Sequence, residues 1–308
     1  MSATINKAEG SPPGPAMVNA AADTVPKMSR TRLFWRTLLS RKTVMVSAAV
    51  LVLAFLTAIL APLIAPYDAN APDLRSALKP PSAGHWLGTD ALGRDVLSRI
   101  IFGSRVSLAV GFVSVAIAGS IGMLLGLVAG YAGGRVESVI MRCIDVLMSI
   151  PLIILALFIA ALIGKGLGNV MLAIGLGMMP SYARLTRGQV KSIKQLDYVT
   201  AGVISGSGKI KNMFRHILPN CLSPIIVLMT MNLGMAILTE AALSFLGLGI
   251  NPPTASWGAM ISDGYNHLRT LPLLSLAPGV AIIMVVLAFN IVGDALRDTL
   301  DPRLRGAL

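Results

Sequence analysis

Residues 44–65 form an apolar run without a single charge. A helix needs roughly 20 such residues to cross the hydrocarbon core of a bilayer. Inside that core every backbone N–H and C=O must be satisfied within the protein, which a helix does by itself. Five further stretches follow the same pattern, at about 107–129, 144–164, 170–186, 222–248 and 273–292. Pro151 interrupts the third span, and Gly175, Gly177 and Pro180 break the fourth, which is short. The first run exceeds the apolar core of a signal peptide, and a tail of more than forty residues precedes it, so it is read as a retained helix. Hydrophobic residues make up 55% of the 308, and charged residues only 13%. That is about half the charge of a soluble domain, too little to cover a water-exposed globule, and far too apolar for a disordered chain. The sequence predicts an all-α integral membrane protein with six transmembrane helices.

Charge then orients it. With the N-terminus inside, the segments between spans on the inner side hold nineteen Lys/Arg and the outer segments seven. Basic residues accumulate on the cytoplasmic side, so both termini are expected there. The net charge of +12 is thereby a topology signal. An aromatic content of 5%, with no interleaving of rings and cations, argues against nucleic acid as a partner. The expected organisation is a cytoplasmic tail over 1–43, a membrane domain over 44–295 with an outer loop at 66–106 and a cytoplasmic loop at 187–221, and a cytoplasmic tail over 296–308. The stretch through Lys27 reads as disordered. Arg30, Arg32 and Arg36, interleaved with Leu33, Phe34 and Trp35, read as a short amphipathic segment on the inner leaflet.

Several residues invite a functional reading. Gly122, Gly126 and Gly130 recur every fourth residue, placing them on one helix face where a neighbouring backbone approaches closely. They mark a subunit interface or pore wall, or packing within the chain. An ionisable residue at membrane depth is a functional-site hypothesis. Glu240 lies within the fifth span, and either faces a polar cavity or caps a broken helix end. Arg142 and Asp145, at the inner mouth of the third span, are spaced to pair with each other. Cys143 and Cys221 form neither a disulfide framework nor a metal site and read as small apolar fillers. His85, His216 and His267 fall in separate loops without metal-ligand spacing. Residues 206–209, Gly-Ser-Gly-Lys, mimic the end of a phosphate-binding loop. Val203 stands where its first glycine belongs, however, and Ile210 where the magnesium-ligating hydroxyl belongs. No cofactor is expected in this chain. No HExxH or GxSxG pattern supports hydrolysis, and no internal repeat supports a self-sufficient channel or carrier.

The inner loop between spans four and five is long and basic. Val203, Ile204, Ile210 and Met213 are spaced to give a short helix an apolar face, and such a face calls for a protein partner. This loop resembles the coupling segment of ABC-importer permeases, with Gly206, Leu218 and Pro219 intact at the right spacing and Ala201 matching its alanine. Thr200, Gly202 and His216 stand where that pattern has Glu, Ala and Ile. Residues 85–99 (His-Trp-Leu-Gly-Thr-Asp-Ala-Leu-Gly-Arg-Asp-Val-Leu-Ser-Arg), 141–145, 243–249, 252–260 and 293–303 resemble the peptide/nickel permease family of the DppC/OppC type. The resemblance implies the type I importer fold and half of a translocation path for di- or oligopeptides; nickel complexes or glutathione-like peptides are the alternative cargo. It also implies a homologous second permease as heterodimer partner, two cytoplasmic ATPases that hydrolyse ATP on behalf of a non-catalytic chain, and an extracytoplasmic binding protein. Residues 200–202, 206, 216, 218 and 219 would couple the ATPases to the path.

Overall fold

A computed structural model describes residues 41–300, all within helices, turns and loops apart from one isolated bridge between Thr89 and Asp95. The tail and the amphipathic segment expected before residue 41, and the last eight residues, lie outside the described residues. The apolar runs become α1 (Lys42–Ile64), α2 (Val96–Ala132), α8 (Leu218–Phe245) and α10 (Leu273–Leu300), four helices long and apolar enough to span a membrane. The helices overrun the apolar runs because polar residues supply their ends: Asp95 caps α2 by accepting from the Ser98 N–H, about twelve residues before the apolar stretch begins.

The third expected span is not one straight helix. It is divided at residues 149–151 into α3 (Gly134–Met148) and α4 (Leu152–Ile163), bent by 95°. Pro151 has no N–H to continue the ladder and disfavours helical geometry in Ile150 before it. Alone, α4 is about 18 Å long at 1.5 Å per residue, too short to cross. The fourth expected span lies in an unbroken helix, α5 (Leu167–Lys194), in spite of Gly175, Gly177 and Pro180. Its length suffices for a crossing, but its second half is basic. Two short helices follow, α6 (Asp197–Ile204) and α7 (Lys209–Asn212), then a π-turn at Met213–Ile217 leading into α8, and α9 (Trp257–Tyr265) fills the connection between α8 and α10.

The most extensive contact is between α2 and α5, with α8 packed on both, α10 on α8, and α1 across α2 and α10. Tyr182, Leu127, Ile174, Ile225, Ile237 and Leu243 are fully buried where α2, α5 and α8 meet. Leu53, Ile59 and Leu63 on α1, and Ile283 and Leu287 on α10, face outward, as helices do when lipid replaces water as solvent. One end of the bundle carries residues 65–95, α9 and the start of α5; the other, the basic end, carries α3, α6, α7 and the ends of α5 and α10.

Candidate functional site

At the basic end, α6 and α7 form a helical hairpin turned at Gly206, whose φ of +80° is a conformation that L side chains rarely adopt. No atom lies within 4 Å of where its Cβ would stand, so backbone geometry alone dictates glycine there. Ser207 donates its N–H to the Gly202 carbonyl, closing the turn. A Cβ on Gly202 would sit 3.0 Å from Asn212 Oδ1, so the glycine that replaces alanine in the coupling pattern lets α6 lie against the buried Asn212. Thr200 and Ala201 are exposed on α6, His216 and Leu218 are half-buried, and Pro219 stands in the first turn of α8, where its missing N–H is no loss. Of the expected apolar face, Ile204 and Ile210 are 82% and 73% exposed, whereas Met213 packs inward against the core. Phe214 and Tyr198 extend the exposed set, and the Tyr198 hydroxyl accepts from Asn220 Nδ2 at 3.1 Å. His216 lies in the π-turn, not in a loop.

Ion pairs bind α3 to α5 beside this hairpin. Glu137 Oε1 accepts from Arg187 and from Lys191 Nζ (2.6 Å), and the Lys191 bond, then that of Arg187, holds its carboxyl below the usual range. Asp145 pairs with Arg184 at 2.5 Å rather than with Arg142, the partner expected from spacing. Position i+3 offered Arg142 a partner within one helix, but α5 brings a guanidinium in from across the groove, and Arg142 stays exposed. The residue order does not announce this network; its one advance signal is the four-residue spacing of Arg187 and Lys191, which aligns both on one face of α5.

The glycines at 122, 126 and 130 serve packing within the chain. Cβ atoms there would lie 2.5 Å from the Met179 carbonyl oxygen, 2.4 Å from that of Ala183 and 2.8 Å from Val190 Cβ, all on α5.

At the opposite end, the 85–99 stretch satisfies itself. His85 Nδ1 lies 3.0 Å from Asp95 Oδ1, the other Asp95 oxygen caps α2, and Asp90 accepts from Arg94 Nε at 2.7 Å. Arg99, 2% exposed, reaches Asp90 Oδ2 at 3.4 Å and donates to the Ala69 carbonyl at 3.1 Å. Glu240 belongs to this region. It neither faces an open cavity nor caps a helix end, the two expectations for it. Fully buried, its Oε1 accepts from Ser244 (2.7 Å) and from Ser256 (3.0 Å), the N-cap residue of α9, while Oε2 has no partner among the described residues. Trp257 donates its N–H to Ser107 and its indole N–H to the Ile100 carbonyl, so α9 is held to both α8 and α2.

This arrangement is a bundle of helices long and apolar enough to span a membrane, with an exposed apolar hairpin at its basic end. Residues 122–306 match the family described as binding-protein-dependent transport system inner membrane component, and residues 29–81 the N-terminal membrane domain of oligopeptide transport permease C. The chain is 45% identical to a glutathione transport system permease of Pectobacterium atrosepticum, over 89% of this chain and 91% of that one. It is 41% identical to a di/tripeptide transport permease of Pseudomonas aeruginosa, over 95% and 99%, and 45% identical to a probable D,D-dipeptide transport permease of Escherichia coli, over 84% and 87%. The chain belongs to the family of inner membrane components of binding-protein-dependent ABC transport systems, of the peptide permease type.

Proposed function

We propose that this chain forms half of the translocation path of an ABC importer for short peptides, glutathione-like peptides included. The relatives' named substrates share a peptide backbone, and this supports peptide as the cargo class. A second, homologous permease completes the path, two ATPases dock at the basic end, and a binding protein delivers substrate at the opposite end. The basic end faces the cytoplasm, in line with the Lys/Arg bias. The chain itself hydrolyses nothing. ATP-driven closure of the ATPases moves the α6–α7 hairpin and tilts the helices behind it; the path changes side because contacts at the hairpin differ between the two states.

The observation that carries this reading is the exposure of Ile204 and Ile210 on a two-helix hairpin beside a basic face. Exposed aliphatic side chains clustered in this way fit a docking surface for another protein. Ala201 and Gly206 shape the hairpin, and Leu218 and Pro219 transmit its motion into α8. The test is Gly206→Asp in the assembled transporter. The substitution strains the turn at a positive φ and adds a charge at the docking surface while leaving the spans untouched. The expected result is normal membrane abundance, loss of ATPase co-purification or of substrate-stimulated hydrolysis, and no uptake. Uptake at the unmodified rate would sink the coupling role.

A further inference from the structure

A cavity of about 680 Å³ opens between α5, α8 and α10 at the basic end. This size falls within the range of small-molecule sites. Along α8 it extends from Asn220 to Met231, about 16 Å at the helical rise, so it reaches well into the bundle. Its lining is graded. Gln189, Asn220, Ser223 and Arg297 stand near the ends of their helices, at the mouth; Val227 and Met231 lie deeper.

Two features mark it as a binding site with a definite preference. First, the side chains of Gln189, Ser223 and Arg297 make no hydrogen bond or ion pair with any described residue, although each lines the same space. Several other cations at this end are engaged: Arg41 with Asp298, Arg184 with Asp145, Arg187 and Lys191 with Glu137, and Lys194 with the Tyr131 carbonyl. Arg135, Arg142, Lys209, Lys211 and Arg215 are exposed and make no ion pair among the described residues; Arg297, unlike them, lines the cavity. Second, among the described residues Arg297 is the one charged residue lining the cavity, and no carboxylate among them lines it. A planar guanidinium beside amide and hydroxyl groups matches a carboxylate flanked by a peptide bond, and the apolar floor matches a side chain.

We propose that this cavity is a carboxylate-recognising vestibule that receives the C-terminus of the transported peptide at Arg297, its last peptide bond at Gln189 and Ser223, and its terminal side chain against Val227 and Met231. The inference rests on the peptide-importer reading and adds where, and by which end, the cargo is held inside the permease.

The experiment uses the complete transporter in nanodiscs without the binding protein, so that specificity comes from the membrane subunits alone. The chain carries Ser223→Cys in a background of Cys143→Ser and Cys221→Ala, and the rate of maleimide labelling is read. The probes are the dipeptide Ala-Leu and its C-terminal amide. The free acid is expected to slow labelling, with the amide about tenfold less effective, the loss of one charge-assisted contact. Arg297→Gln should erase the difference between the two, and Arg297→Lys should restore part of it. Equal protection by acid and amide, or none by either, would overturn the proposal. So would a thiol that reacts in the isolated chain but is shielded in the peptide-free complex, since a partner subunit would then occupy the surface. ATP-dependent uptake by the same complex, with binding protein added, separates the two readings: its absence removes the importer reading itself, whereas uptake without selective protection removes only the vestibule.

Discussion

Glu240 shows how a single side chain can join elements that are distant in sequence. Its carboxyl sits between Ser244, one turn on along α8, and Ser256, at the head of α9. A Cβ on Gly258 would lie 2.5 Å from Ala241 Cα and 3.2 Å from Glu240 Oε2, so α9 must present glycine to α8 at that point. Among the described residues no lysine or arginine bonds Glu240; hydrogen bonding is what the group supplies. Glu240→Gln should therefore keep the transporter assembled. Glu240→Leu, which leaves two buried hydroxyls without an acceptor, should cost roughly 1–3 kcal/mol. Thermal inactivation of the purified complex measures both, and a Gln variant as damaged as the Leu variant would show that charge matters after all.

At the scale of elements, α2 and α5 are matched by shape and α3 and α5 by charge. Gly126→Leu should drive the first pair apart, because its Cβ alone would lie 2.4 Å from the Ala183 carbonyl oxygen. Overpacking of this kind costs typically 1–3 kcal/mol, and here backbone must move. Membrane abundance by immunoblot should fall sharply. Gly188→Ala, with nothing within 4 Å of the added Cβ, should leave it unchanged. The α3–α5 pair carries a pH dependence. Lys191 and Arg187 depress the Glu137 pKa in the folded chain, so the carboxylate stabilises the fold above its unfolded pKa. That contribution fades as pH falls through the ordinary carboxyl range and on through the depressed folded value. Melting curves of the unmodified complex and of Glu137→Gln should differ at pH 7, begin to approach each other near the ordinary carboxyl range of about pH 4–5, and converge only below the depressed folded value. A gap that stays constant across that interval would mean the network contributes nothing through charge.

For the whole molecule the open quantity is direction in the bilayer. Single cysteines replacing Ser82 or Asn251 should react with an impermeant thiol reagent applied to intact cells, in a background free of Cys143 and Cys221. One replacing Ser192 should react only in opened vesicles. All three positions are exposed, so silence at Ser192 reports sidedness and not burial; labelling of Ser192 in intact cells would invert the orientation. The conclusions divide by the range of the physics behind them. The rough placement of the apolar helices and of the hairpin was legible in the residue order, whereas four of the six expected spans became helices long and apolar enough to cross by themselves. Hydropathy and glycine or proline geometry are local properties, readable over a window of twenty residues. The 95° break at Pro151 was legible as an interruption but not as an angle. The partner of Asp145, the two serines on Glu240, the inward turn of Met213 and the unpaired Arg297 in its cavity were not legible at all. Each depends on which faces α3, α5, α8, α9 and α10 turn toward one another, and in a chain with few charges one guanidinium or hydroxyl brought across a groove decides where a polar group can rest.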